Sequence, residues 1–267
     1  MKSLTESAAF QERLRTTGSY RTDPARRRPF FGRFDFWYVL RVAHLIYEGN
    51  RLAVRGEFNT ETWAAHSLSY VSIIEDCGGT LDISGLEHSL RPGRPVVYVG
   101  NHMSMMESFL LPGLLLSGGW VTAVIKKSLG RYPVLGAFAR ATEPIMVGRE
   151  NPREDLKTVL GEGRESLAKG RSVVLFPQAT RSAVFDPSAF NSLGVKLAKS
   201  AGVPVVPLAL KTDFQRNGRI LKDIGGLDRS KTVCFRFGEP LEVTGTGKDA
   251  NEKVMRFISD ALKEWGG

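Results

Sequence analysis

An alternation of short apolar runs and longer amphipathic segments, beginning near residue 80, most constrains how this chain can fold. The short runs are rich in β-branched residues and bounded by Gly or Pro, as buried strands are, whereas the longer segments have helical periodicity. Strands are predicted near residues 81–84, 95–100, 120–125, 143–148, 172–176, 204–211 and 232–237. Helices are predicted near residues 104–117, 131–141, 153–169, 188–201 and 249–264. The pattern predicts an α/β fold with a layered mixed, largely parallel sheet flanked by helices.

An N-terminal amphipathic helical hairpin is predicted ahead of the α/β region. Its first helix follows Pro29 and is rich in aromatic residues, with about 14 such positions, fewer than the roughly 20 that span a bilayer. The second runs from Thr60 to Cys77, before a Gly-Gly pair that ends it. The first helix is compatible with lying in a membrane headgroup layer and with packing against the core. We expect two regions, residues 1–79 and residues 80–267.

The net charge of +9 is concentrated near the N-terminus. Residues 1–56 contain 11 Lys and Arg against 5 Asp and Glu, a net charge of +6. Such a segment favours an anionic partner, either lipid headgroups or nucleic acid. We expect residues 1–24 to form a solvated, partly disordered arm without a secretory signal. The cysteines, Cys77 and Cys234, lack disulfide or metal spacing and suit a reducing compartment.

A histidine and a carboxylate, His102 and Glu107, follow the strand predicted at residues 95–100. Five positions on a regular helix separate two side chains by roughly 140°, so contact requires His102 in the turn before the helix. Ser104 and Glu107 have the spacing of a capping box, which predicts that the helix begins there. A carboxylate on one ring nitrogen would leave the other nitrogen able to accept a proton. A simple helix cap beside an ordinary turn histidine is the alternative interpretation.

Two arginines, Arg149 and Arg181, each follow an apolar strand. Ligands bind at strand ends in α/β sheets, and a guanidinium matches the oxygens of phosphate or carboxylate groups. A surface salt bridge explains a single arginine equally well, but two at strand ends, with His102 after a third strand, favour a site. The sequence contains no nucleophile elbow or nucleotide-binding glycine loop, and the other histidines lack ligand spacing, so we expect no metal site.

Four blocks stand in order within residues 81–210: Asn101-His102-x-Ser104-x-x-Glu107, Ile145-Met146-Val147-Gly148-Arg149, Phe176-Pro177-Gln178-Ala179-Thr180-Arg181-Ser182 and Val203-Pro204-Val205-Val206-Pro207-Leu208. Together they resemble the blocks of the glycerolipid acyltransferases, the family of lysophosphatidate and glycerol-phosphate acyltransferases. The chain departs from the family pattern at two places. Glu107 replaces an aspartate, and Gln178-Ala179 replaces Glu-Gly.

The resemblance implies an O-acyltransferase that moves a fatty acyl group from acyl-CoA or acyl carrier protein to a lysophospholipid hydroxyl, such as that of 1-acylglycerol-3-phosphate. His102 would be the general base and Glu107 its orienting carboxylate. The substrates would be bound by a polar set: Arg149, Arg181, Lys127, Thr180, Gln178 and Ser104. The resemblance implies no further cofactor, and we expect a membrane-associated protein on the cytoplasmic face of an anionic bilayer.

Two alternatives remain at this point. The change at Gln178-Ala179 is compatible with a non-phosphate acceptor, such as an amino-acid lipid. A non-catalytic basic protein that binds membranes or nucleic acid would explain the N-terminal charge. Such a protein has no use for a histidine–carboxylate pair facing two arginines, so we expect an enzyme that binds no nucleic acid.

Overall fold

The computed structural model describes residues 1–88, 90, 94–178, 180–216, 218 and 225–266. The helices in these ranges are α1 (Leu4–Thr17), α2 (Asp35–Val54), α3 (Thr60–Asp76), α4 (Met106–Leu115), α5 (Gly136–Ala141), α6 (Pro152–Ala168), α7 (Leu193–Ala201) and α8 (Lys248–Glu264). The strands are β1 (Tyr20–Arg21), β2 (Thr80–Ser84), β3 (Val97–Gly100), β4 (Val121–Lys126), β5 (Ile145–Val147), β6 (Ser172–Leu175), β7 (Val205–Lys211) and β8 (Thr232–Phe237). The predicted α/β alternation is therefore confirmed.

The described strands form one sheet in the order β1-β2-β8-β7-β3-β6-β4-β5. Strands β3 to β7 run parallel to one another, since β3 pairs with β6 and β7, and β4 pairs with β5 and β6. Strands β2 and β8 also pair in parallel, but run in the opposite direction. The antiparallel pairs are β7 with β8 and β1 with β2. Helices α4, α5, α6 and α7 connect successive parallel strands. The carboxyl ends of β3 to β7 consequently meet at one edge of the sheet.

Helices cover both faces of the sheet. One apolar cluster joins it to α1–α5 and contains Leu14, Leu45, Ile74 and Leu110. The other joins it to α6, α7 and α8, and contains Val159, Leu197 and Ile258. This three-layer arrangement explains why the central strands are almost continuously apolar, because parallel strands covered on both faces contact no water.

The prediction of a disordered arm over residues 1–24 is wrong. Ser3 and Glu6 form a capping box that starts α1, and Phe10 and Leu14 bury the apolar face of this helix. The strand β1 then pairs with β2. The buried carboxylate of Glu75 on α3 accepts hydrogen bonds from the hydroxyls of Tyr20 at 2.7 Å and Thr22 at 2.8 Å. The N-terminal segment, which was expected to be disordered, therefore fixes the position of the Glu75 carboxylate.

The predicted helical hairpin is present as α2 and α3. His66 on α3 is fully buried, and its Nε2–H donates to the backbone oxygen of Leu45 on α2 at 2.9 Å. Burial lowers the pKa of His66 to about 4, so this histidine is neutral near pH 7. Within the described residues, no helix combines the length and apolar character needed to cross a membrane.

An exposed apolar surface, here called the aromatic ridge, is formed by residues just before α2 and in its first two turns. It comprises side chains that are 36–63% exposed: Phe30, Phe31, Phe34, Phe36 and Leu40. The guanidinium of Arg33 lies 3.9 Å from the ring centroid of Phe30. Arg229 fastens the base of the ridge to the sheet domain by donating to Asp35 at 2.8 Å, the backbone oxygen of Cys77 at 2.9 Å and that of Gly32 at 3.3 Å.

Candidate active site

The residues predicted to form the site follow strands of the parallel part of the sheet. His102 follows β3, Lys127 follows β4, Arg149 follows β5 and Gln178 follows β6. Because these strands end at one edge, the topology places all four residues along that edge. Neighbouring strands are about 4.8 Å apart, so the sheet order places the ends of β4 and β5 roughly 10 and 14 Å from the end of β3.

His102 and Glu107 form a hydrogen-bonded pair. Nδ1 of His102 lies 2.6 Å from Oε2 of Glu107. The imidazole stacks on the ring of Phe176, with centroids 4.4 Å apart and planes at 5°. An ionised carboxylate can only accept, so Nδ1 carries the proton and Nε2 keeps a lone pair. The side chain of His102 is 17% exposed, which leaves the ring reachable from solvent.

Glu107 is completely buried, yet its carboxylate has a full set of donors. Its Oε1 accepts from the backbone N–H groups of Ser104 at 2.8 Å and Met103 at 3.2 Å, and from the hydroxyl of Thr212. Such charge-assisted bonds compensate for the loss of hydration around a buried carboxylate. Because the carboxylate is fixed on this side, it also fixes the orientation of the imidazole.

The capping box predicted from Ser104 and Glu107 forms only in part. The side chain of Glu107 reaches the Ser104 N–H, but Ser104 Oγ accepts from the backbone of Met106 at 3.1 Å. Helix α4 accordingly begins at Met106, two residues later than predicted. Ser104 Oγ also donates to Thr212 at 2.9 Å, so its predicted contact with substrate would require that bond to be exchanged.

Gln178 is 8% exposed and holds the backbone of His102 in place. Its Oε1 accepts from the N–H of His102 at 2.8 Å, while the N–H of Ser182 donates to the His102 carbonyl at 2.9 Å. The third sequence block therefore secures His102 from both sides. A glutamate oxygen could make the same contact, so the replacement of Glu by Gln preserves this support. Ala179, the neighbouring departure from the family pattern, lies outside the described residues.

The predicted polar and cationic side chains follow strands that end at the same sheet edge as this pair. Arg181 is half-buried and precedes Ser182, which is bonded to the His102 backbone. Thr180, Lys127 and Arg149 are exposed. The resulting concentration of positive charge favours an anionic ligand at this edge.

Arg149 has an unusual backbone conformation. Its φ is 67°, in the left-handed region where side chains other than glycine encounter steric repulsion. The carboxylate of Asp155, in the first turn of α6, accepts from two consecutive backbone N–H groups. Oδ1 accepts from Gly148 at 3.0 Å, and Oδ2 accepts from Arg149 at 2.9 Å.

Two residues of the centre, Phe176 and Thr212, were not among the predicted site residues. Thr212 reaches Glu107 from 105 positions away, because the side chain of Asn101 binds the backbone of Leu210 through bonds of 2.8 and 2.9 Å. These bonds join the ends of β3 and β7. The sequence feature that could have pointed to Thr212 is its hydroxyl, which comes immediately after the strand predicted at residues 204–211. Phe176 stood only as the first residue of the third block.

The geometry can support general-base chemistry. Among the described residues, no Ser, Thr or Cys side chain is hydrogen-bonded to the His102 ring, so the partner for Nε2 would be a bound hydroxyl. The same residues contain no cluster of three His, Cys, Asp or Glu side chains that could hold a metal ion. Both cysteines are free and buried.

Comparison with known proteins identifies the family. Residues 81–211 match the family model described as Acyltransferase. A 1-acyl-sn-glycerol-3-phosphate acyltransferase from Pseudomonas aeruginosa is 27% identical over 214 residues, covering 79% of each chain. A protein of the same name from Saccharomyces cerevisiae is 27% identical over 193 residues, covering 70% of this chain and 61% of its own.

A solved structure has the same fold. The crystal structure of the 1-acyl-sn-glycerophosphate (LPA) acyltransferase PlsC from Thermotoga maritima superposes with a TM-score of 0.66 at 18% identity, covering 86% of this chain and 93% of that one. The matched family segment begins in β2 and ends with β7, so it includes His102 and Glu107. Residues 81–211 therefore form a domain of the acyltransferase family, and the chain is an acyltransferase.

Proposed function

We propose that this enzyme transfers a fatty acyl group from acyl-CoA or acyl carrier protein to the free hydroxyl of 1-acylglycerol-3-phosphate. The observation that carries the proposal is the His102–Glu107 pair, in which Nδ1 is engaged and Nε2 can accept a proton. The acceptor is supported by the names of the Pseudomonas and Saccharomyces relatives and by the cationic side chains along the same edge.

In the proposed reaction, Nε2 of His102 removes the proton of the acceptor hydroxyl while its oxygen attacks the thioester carbonyl carbon. The carbon–sulfur bond then breaks, and the departing thiolate takes the proton from the imidazolium. Glu107 stabilises the imidazolium and keeps the ring oriented. Since the thioester is already activated, no acyl-enzyme intermediate is needed.

The acceptor phosphate would be held by Arg149 and Arg181, with Lys127 as a further cation. Guanidinium groups bind phosphate oxygens through paired, charge-assisted hydrogen bonds. The hydroxyl of Thr180 and the amide N–H groups of Gln178 are additional donors at the edge. A phosphate is complementary in charge to these cationic side chains, whereas a neutral acceptor is not, and this favours a phosphate acceptor.

Arg149→Ala is expected to raise the KM for 1-acylglycerol-3-phosphate by about tenfold or more, because a charge-assisted contact is lost, while the KM for the acyl donor changes little. Arg181→Ala should behave similarly. Steady-state kinetics with each substrate varied in turn provide the measurement, and Arg153→Ala, an exposed arginine on α6, is the control. If only the donor KM rises, these arginines bind the donor instead. Efficient acylation of an uncharged amino-acid lipid would favour the alternative acceptor.

We further propose that residues 1–79 place the enzyme on the cytoplasmic face of an anionic membrane, and that residues 80–267 form the catalytic domain. The support is the aromatic ridge together with the exposed basic residues Arg27 and Arg28. Exposed aromatic side chains beside cations suit the boundary between headgroups and acyl chains.

Changing Phe30 and Phe31 to serine together should weaken binding to anionic vesicles by at least about tenfold, since each phenylalanine contributes buried apolar area. Vesicle co-sedimentation measures this affinity, and Leu156→Ser on α6, an exposed apolar residue away from the ridge, is the control. Binding should weaken further in high salt. Wild-type protein that ignores vesicles but binds nucleic acid tightly would instead favour the binding-protein alternative.

A further inference from the structure

Two consecutive peptide groups in the connection between β5 and α6 are held by a single carboxylate. Asp155 uses both oxygens on the consecutive N–H groups of Gly148 and Arg149. The carboxylate is itself well anchored, because Asp155 lies in the first turn of the 17-residue helix α6 and its N–H donates to the Asn151 carbonyl at 3.0 Å. An acidic side chain is favoured at a helix N-terminus.

This contact stabilises a conformation that Arg149 would otherwise avoid. A left-handed backbone is sterically unfavourable for an arginine, and a change to extended backbone would redirect its Cα–Cβ bond. That direction is important because the end of β5 is three strands, or roughly 14 Å, from the end of β3. Arg149 can approach a ligand at His102 only if its side chain extends along the sheet edge.

We propose that Asp155 is a positioning residue, which holds Arg149 in its left-handed conformation and so directs the guanidinium to the acceptor phosphate. The proposal rests on the assignment of Arg149 to the acceptor under the proposed function. The carboxylate of Asp155 does not itself touch substrate. Each of its two oxygens accepts from a backbone N–H, so its proposed role is to support the backbone at Gly148 and Arg149.

The test is a double-mutant cycle between Asp155 and Arg149. Asp155→Asn retains one acceptor oxygen, and Asp155→Ala retains none. With Arg149 present, Asp155→Ala should raise the acceptor KM about tenfold, the size expected when charge-assisted hydrogen bonds are lost, and should leave the donor KM unchanged. Asp155→Asn should have a smaller effect in the same direction. Glu154→Gln, on the same helical turn, is the matched control.

In the Arg149→Ala background, Asp155→Ala should add no further increase in acceptor KM. An equal increase in both backgrounds, or none with Arg149 present, would overturn the positioning role. These results differ from a failure of the proposed function, in which Arg149→Ala itself leaves the acceptor KM unchanged. Thermal melting of each variant identifies unfolding, and if Asp155→Ala is unfolded the cycle is completed with Asp155→Asn.

Discussion

His102→Ala is expected to lower the rate of acyl transfer by at least about 100-fold, because the general base is removed. The fold should persist, since the ring is partly exposed and packs mainly on one face of Phe176. The buried Glu107 would keep its bonds from Ser104 and Thr212. Single-turnover transfer from a labelled donor measures the rate, and thermal melting measures the stability.

His88→Ala is the matched control, because the side chain of this histidine is 37% exposed and it lies outside the centre. It should retain wild-type rate and melting temperature. An His102→Ala variant that keeps more than about a tenth of the wild-type rate would contradict the role of His102 as general base.

Glu107→Gln should reduce the rate roughly 10- to 100-fold, less than the loss of His102 but far more than Glu107→Asp. The glutamine amide would present N–H groups to Nδ1, which favours the ring tautomer that carries its proton on Nε2 and cannot act as a base. Aspartate retains the charge, so its cost should arise mainly from a stem one methylene shorter. The same single-turnover assay ranks the three variants.

The Glu107 variants also separate chemistry from packing. Glutamine can still accept from Thr212 and Ser104, so its melting temperature should stay close to that of the wild type. If Glu107→Asp proves slower than Glu107→Gln, the carboxylate acts chiefly through its exact reach and not through its charge. That result would exclude tautomer control as its main contribution.

The sequence was sufficient for the elements whose signals are local. The run at Val97–Gly100 is apolar at every position, and the His102–Glu107 spacing follows from one strand–turn–helix unit. The contact between Glu107 and Thr212 could not be predicted from a local pattern, because Thr212 approaches only after β3 and β7 have paired. Long-range pairing, which the sequence pattern does not specify, decides what surrounds a buried carboxylate.

The N-terminal segment shows a different limitation. Its high charge suggested a solvated arm, yet Phe10 and Leu14 are spaced as one face of a helix, and Ser3 and Glu6 cap it. Average composition concealed a short amphipathic pattern. Gln178 shows the converse: the residue type suggested a ligand contact, whereas its oxygen binds the backbone of His102. Its other amide atoms could still donate to a headgroup, as predicted.

The Arg229 contacts with Gly32, Asp35 and Cys77 have a mechanical consequence. They connect the base of the aromatic ridge to a residue close to β8, so ridge and sheet should tumble as one rigid body. A bilayer that captures the ridge would thereby restrict the rotation of the whole catalytic domain. The enzyme would then diffuse laterally with a fixed tilt, and its encounter with a lipid substrate would become a search in two dimensions.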